Sequence, residues 1–104
     1  MRQIKNDEFN TTVLSAGTPV LVDFTATWCG PCQRLAPTLE TLSKEFEGKA
    51  TFVKVDIDES PNLAEQYGIE GVPTVLLFKG GQPVDRMVGL QPKPQIAGWL
   101  TSHI

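Results

Sequence analysis

Between Val20 and Phe24 the chain reads Val-Leu-Val-Asp-Phe, a nearly unbroken apolar run with the pattern of a strand covered on both faces. Two similar runs follow, Ala50–Ile57 (with Phe52, Val53, Val55 and Ile57) and Thr74–Phe78. Lys79-Gly80-Gly81-Gln82 is a hairpin signal, so Pro83–Val88 is expected to pair with the third run. Between the strands the apolar spacing becomes helical. Asn6 is a suitable N-cap for a helix over Asp7–Ser15, where Phe9, Val13 and Leu14 form an inward face and Ala16-Gly17-Thr18-Pro19 ends it. Leu35, Leu39, Leu42 and Phe46 predict a helix that opens near Pro31, runs to Glu47 and stops at Gly48. Pro37 lies inside it and should kink it, because it removes a backbone donor and crowds the preceding turn. Ser60-Pro61 opens a short helix through Tyr67, closed by Gly68. Ile96, Trp99, Leu100 and Ile104 mark a final helix, with Trp99 expected in the core. The early alternation of strand and helix predicts parallel pairing with right-handed crossovers, and the late hairpin must be antiparallel. The expected class is therefore α/β, a mixed sheet with helices on both faces.

Composition narrows this picture. A chain of 104 residues has room for one domain, expected over residues 1–104, and can bury a modest core without disulfide staples. The formal charge is −3, and the lysines are scattered with no basic stripe, which argues against a nucleic-acid partner. No segment approaches the roughly 18 consecutive apolar residues of a membrane helix, so no membrane partner is expected. Met1 to Phe9 is mostly polar and does not resemble a secretory signal. A cytoplasmic monomer is expected, or an organellar protein if a presequence has been removed.

The two cysteines carry the candidate chemistry. Cys29 and Cys32 stand three positions apart, too close for a bridge to constrain much of the unfolded chain, so reactivity explains them better than stapling. Cys29 falls at a strand-to-helix junction, where unpaired N–H groups and the positive end of the helix dipole favour a thiolate. Cys32 lies one turn further in, close enough to close a small ring, and Gly30-Pro31 restricts the turn between them. That arrangement suits an attacking thiol at Cys29 and a resolving thiol at Cys32. An ordinary cysteine, with a pKa near 8.5, is only a few per cent thiolate at neutral pH, whereas one near 7 is about half thiolate. Two bland alternatives remain: inert buried cysteines, and half of a zinc site. Zinc would need two more ligands, and the chain has no third cysteine and a single histidine, His103. No metal and no cofactor are expected.

Val22-Asp23-Phe24 leading into Trp28-Cys-Gly-Pro-Cys32, then Pro37, Lys54, Tyr67-Gly-Ile, Gly71-Val-Pro-Thr74, Phe78-Lys-Gly80 and Val88-Gly89 resemble the thioredoxin family, in order, over essentially the whole chain. The resemblance implies the thioredoxin fold, a central mixed five-stranded sheet of order 1-3-2-4-5 flanked by four helices, with Gln3–Lys5 as a short first strand. It implies reduction of disulfide-containing protein substrates and re-reduction by a thioredoxin reductase. It also implies roles beyond the thiols. On its own Asp23 would read as an exposed strand residue, although the apolar run around it argues for burial and a raised pKa. The resemblance makes it the buried acid beneath Cys32, exchanging that thiol's proton through water. Lys54, by itself a solvated charge, would lie near that carboxylate and temper its pKa. The Val72–Pro73 bond, ordinarily trans, would be cis, and Val72 would offer main-chain hydrogen bonds to a substrate strand. Trp28, Gly71, Val72, Gly89 and Leu90 would form an apolar rim around the exposed sulfur, with Gly30 and Pro31 in the active loop.

The chain departs from the family pattern at Thr25, where tryptophan is common, and at Thr27, at Gln33 in place of a cation, and at Leu90 in place of a small residue. Losing the cation after Cys32 removes one source of thiolate stabilisation, for which Arg34 is a partial substitute. Two other functions fit the same residues. A disulfide oxidase or isomerase would usually carry histidine where Gly30-Pro31 stands, and a binding module would use the apolar rim without the thiols.

Overall fold

The computed structural model describes all of residues 1–104. Five strands form one sheet: β1 (Arg2–Gln3), β2 (Val20–Thr25), β3 (Thr51–Asp56), β4 (Thr74–Lys79) and β5 (Gln82–Val88). Their spatial order is β1-β3-β2-β4-β5, the 1-3-2-4-5 arrangement of the thioredoxin fold. β3 pairs in parallel with β1 and β2, whereas β4 is antiparallel to β2 and β5. Four helices complete the chain: α1 (Asn6–Phe9), α2 (Gly30–Glu45), α3 (Pro61–Gln66) and α4 (Lys93–His103).

Strand periodicity explains how the sheet is covered twice. Val20, Val22 and Phe24 of β2 pack with Val53, Val55, Leu76 and Phe78 under Phe9, Val13 and Leu63, so α1 and α3 cover one face. Leu21 joins Phe52, Val75 and Leu77 beneath Leu35, Leu39 and Leu42 of α2 and Ile96 and Leu100 of α4 on the other. Each fully buried leucine or valine stabilises the fold by about 1.5–3 kcal/mol relative to exposure. Asp23 belongs to the second face, and it interrupts the apolar series where the sheet reaches the start of α2.

Most boundaries lie within two residues of those expected. β1 covers Arg2–Gln3 instead of Gln3–Lys5, although the Ile4 N–H still donates to the Lys54 carbonyl at 2.9 Å. α2 ends at Glu45, and Pro37 lies within it without ending it. The first helix differs more. Lys5, not Asn6, occupies the cap, because the Glu8 carboxylate accepts the Lys5 N–H at 3.2 Å and draws Asn6 into the first turn. The α-helix then widens into a π-helical stretch over Asn10–Leu14, closed by the Ser15 N–H donating to the Asn10 carbonyl at 2.9 Å. In the hairpin after β4, Gly81 has φ +80°, and a Cβ there would lie 2.9 Å from the Leu14 carbonyl oxygen, so only glycine fits. Trp99 is half-buried against the α2–α4 core, because its indole N–H reaches out to the Asp85 carboxylate at 2.9 Å. No helix is long and apolar enough to cross a membrane.

Candidate functional site

The site lies where β2 ends and α2 begins. Cys29 is the N-cap of α2, Gly30 and Pro31 fill its first two helical positions, and Cys32 is the third. That placement gives the Cys29 sulfur the role a cap oxygen usually has: it accepts the Cys32 backbone N–H at 3.1 Å. The two cysteines are joined in a disulfide, with Cα atoms 5.2 Å apart. Both are buried, Cys29 included, where an exposed sulfur was expected, because they pack with Ala26, Ile57 and Val72. In the reduced protein the same N–H and the helix dipole would favour a thiolate at Cys29.

A second loop meets the pair. The Val72–Pro73 peptide bond is cis, and the Val72 carbonyl oxygen lies 3.6 Å from the Cys29 sulfur. Two hydrogen bonds hold this loop: the Thr74 hydroxyl donates to the Gly71 carbonyl at 2.7 Å, and the Gly89 N–H donates to the Pro73 carbonyl at 2.9 Å. Gly89 has φ +87°, a conformation that favours glycine where the chain turns past the proline. Trp28 is 67% exposed, and its indole N–H is fixed by Asp58 at 2.8 Å. Leu90 and Val88 are exposed apolar side chains on the two sides of Gly89. Of the residues expected to form a rim, Val72 packs directly on the cysteine pair, while Trp28, Gly71, Gly89 and Leu90 stand on the loops that flank it. Asp58 and Val88 were not anticipated. A lone aspartate and a strand-end valine carry no sequence signal for this position.

Beneath the pair lies a polar cavity of about 140 Å³, lined by Asp23, Cys32, Gln33, Lys54 and Asp56 among others. It is large enough for several water molecules. Asp23 is 2% exposed, and its Oδ1 has no hydrogen-bond partner. Burial pushes its pKa up to about 7, while the positive charge of Lys54 pulls it down. Lys54 is half-buried directly opposite Asp23 in the β2–β3 register. Asp56 shares the cavity, with Oδ1 held by the N–H groups of Asp58 (2.8 Å) and Glu59 (3.3 Å). Neither Asp56 nor Gln3, which also lines the cavity, was anticipated. The strand period explains both, since they extend the polar row of Asp23 and Lys54 along the same sheet face. Gln33 donates its amide to the Ala26 and Thr27 carbonyls at 3.4 and 3.5 Å and so ties the active loop to α2. Arg34 carries its guanidinium back over Gly30.

A redox-active dithiol capping a helix, faced by a cis-proline loop and underlain by a buried carboxylate, defines a dithiol–disulfide oxidoreductase site. A match to the Thioredoxin family spans residues 1–102. A thioredoxin of Chlorobaculum thiosulfatiphilum is 51% identical over 96 residues, covering 92% of this chain and 89% of its own. One of Synechocystis is 47% identical over 102 residues, covering 98% and 95%. One of Staphylococcus aureus is 52% identical over 84 residues, covering 81% of each chain. The chain belongs to the thioredoxin family, and it is a protein dithiol–disulfide oxidoreductase. Disulfide-containing substrates and a thioredoxin reductase are the partners that membership implies.

Proposed function

We propose that Cys29 is the attacking thiol, Cys32 the resolving thiol and Asp23 the group that takes up the Cys32 proton. The observation that carries this reading is the Cys32 N–H on the Cys29 sulfur at the N-cap of α2, which stabilises charge on that sulfur alone. The Cys29 thiolate attacks one sulfur of a substrate disulfide, the substrate S–S bond breaks, and the departing sulfur leaves as a thiolate that takes a proton from water. Cys32 then loses its proton, by way of water in the cavity, to the Asp23 carboxylate. Its thiolate attacks the Cys29 sulfur, the Cys29–Cys32 disulfide forms, and the second substrate thiolate departs. Two electrons have passed to the substrate, and a thioredoxin reductase returns them.

The other assignments rest on geometry of the same kind. With a pKa of about 7, Asp23 is half ionised at neutral pH and can both accept and return the proton. Lys54, opposite it, keeps that value from rising further. Val72, beside the Cys29 sulfur, is suited to pair its main chain with a substrate strand, and Trp28, Gly71, Pro73, Gly89 and Leu90 offer the surrounding apolar contact. Gly30 and Pro31 set the spacing of the thiols. One domain over residues 1–104 carries this activity, as a cytoplasmic monomer that engages neither nucleic acid nor membrane. A charge of −3 without a basic stripe supports the part of this reading that concerns nucleic acid.

The test is insulin-disulfide reduction by the wild type and by Cys29→Ser, with dithiothreitol as electron donor. The wild type should accelerate reduction and Cys29→Ser should not. A Cys29→Ser variant that retained the wild-type rate would overturn the assignment.

A further inference from the structure

β5 is an edge strand, and Arg86 in its second half stands opposite Leu76. Residues paired directly across strands share a face, so Arg86 projects toward α3. Its guanidinium spans two successive carbonyls at the end of that helix. Nη2 donates to the Tyr67 oxygen at 2.7 Å and Nη1 to the Gly68 oxygen at 3.2 Å. α3 ends at Gln66, and Gly68 turns the chain with φ +65°. The Tyr67 N–H donates to Leu63, the Gly68 N–H to Glu65 and the Ile69 N–H to Ala64, all to backbone carbonyls. The helix end therefore has its donors satisfied internally, while the Tyr67 and Gly68 carbonyls project beyond it and need a cation or water.

Those carbonyls, with the Ile69 N–H on Ala64, anchor the chain where the loop that meets the dithiol begins. Five residues separate Gly68 from Thr74, and within them Glu70 and Gly71 are exposed. The far side of the loop is held by Gly89, immediately after β5, on the Pro73 carbonyl. β5 and the residue that follows it thus grip both sides of the segment that presents Gly71 and Val72. A planar fork can hold two adjacent carbonyls, whereas an ammonium offers a single point.

We propose that Arg86 is a positioning residue for substrate recognition: by clamping Tyr67 and Gly68 it fixes the loop whose main chain pairs with the substrate polypeptide. The proposal deepens the reading of Val72 given above and rests on it. A small disulfide, which needs only access to the Cys29 sulfur, does not use this device.

Three measurements on the full chain test it. In Arg86→Ala the KM for insulin should rise about three- to tenfold, the scale of losing one or two exposed charge-assisted hydrogen bonds, with kcat within about twofold of wild type. The rate with dithiobis(nitrobenzoate) should be unchanged. Arg86→Lys should behave like Arg86→Ala, because charge without the fork does not restore the clamp. Hydrogen exchange at the Ile69 amide, bonded to the Ala64 carbonyl where the gripped segment begins, and at the Gly89 amide, bonded to the Pro73 carbonyl where it ends, should quicken in Arg86→Ala and in Arg86→Gln, which keeps more of the aliphatic stem if alanine compromises folding. Unchanged exchange at both amides overturns the proposal whether or not insulin is a substrate. An equal loss with both disulfides, or full rescue by lysine, also overturns it and points to stability or charge instead. A wild type that reacts with the small disulfide but not with insulin would sink the proposed protein-reductase reading, leaving the exchange data to decide the clamp.

Discussion

Asp23→Asn keeps the shape of the side chain and removes only its ionisation, so its effect on stability should depend on pH in a way that the geometry dictates. The carboxyl is 2% exposed, has one oxygen without a partner, and titrates at about 7 instead of the ordinary 3.8. Between those values the unfolded chain has lost the proton and the folded chain keeps it. The folded state then binds more protons, so stability falls as pH rises through that window and levels off above about pH 7. At about 1.4 kcal/mol per pH unit, the full displacement corresponds to roughly 4 kcal/mol, and relaxation around the charge and water in the cavity bring the expected figure to about 2–4 kcal/mol. The neutral amide of the variant is spared that cost. Urea unfolding of the oxidised protein should therefore show Asp23→Asn with a midpoint higher than wild type by roughly 1–3 M at pH 8. Near pH 4 the two midpoints should almost coincide. The same variant should reduce insulin more slowly at neutral pH, since Cys32 loses its proton acceptor. Equal midpoints at pH 8, or a stabilisation of the same size at both pH values, would refute the reasoning.

Brief alkylation of the reduced protein followed by peptide mapping should label Cys29 ahead of Cys32, because only the Cys29 sulfur has the N-cap position; preferential labelling of Cys32 would reverse the roles. Gln33→Lys should raise the redox potential by about 10–20 mV, since a cation near the α2 N-terminus stabilises the reduced thiolate by about 0.3–1 kcal/mol and 30 mV corresponds to about 1.4 kcal/mol for this couple. Equilibration of wild type and variant with glutathione measures it, and a downward shift would contradict the charge argument.

How much of this was legible in the sequence varies with the range of the forces involved. The thiol pair could be read directly, because its spacing, its turn residues and its place before an apolar helix pattern are all local. The strands could be read from apolar runs, but periodicity says nothing about which strands are neighbours. The 1-3-2-4-5 order followed from the family resemblance, and the structure agrees with it. Asp23 could not be assigned by composition, since aspartate is usually exposed. Its burial depends on β3 and β4 on its two sides, both distant in sequence, and on α2 above. Asn6 looked the better cap by type, yet Glu8 bonds to the Lys5 N–H and shifts the helix start by one residue. Trp99 has the spacing of a core residue, but its indole N–H requires a partner, and Asp85 supplies one at the surface. Arg86 carried no signal at all: an arginine on an edge strand is indistinguishable from a solvated charge until α3 is seen to end within its reach.

The most direct test of the central claim, two-thiol exchange with attack by Cys29, is trapping of the mixed disulfide. Cys32→Ser, reduced and mixed with insulin, should accumulate a covalent adduct on Cys29 that dithiothreitol releases, while the wild type resolves it and Cys29→Ser forms none. An adduct on Cys32 of the Cys29→Ser variant, with none in Cys32→Ser, would contradict the account.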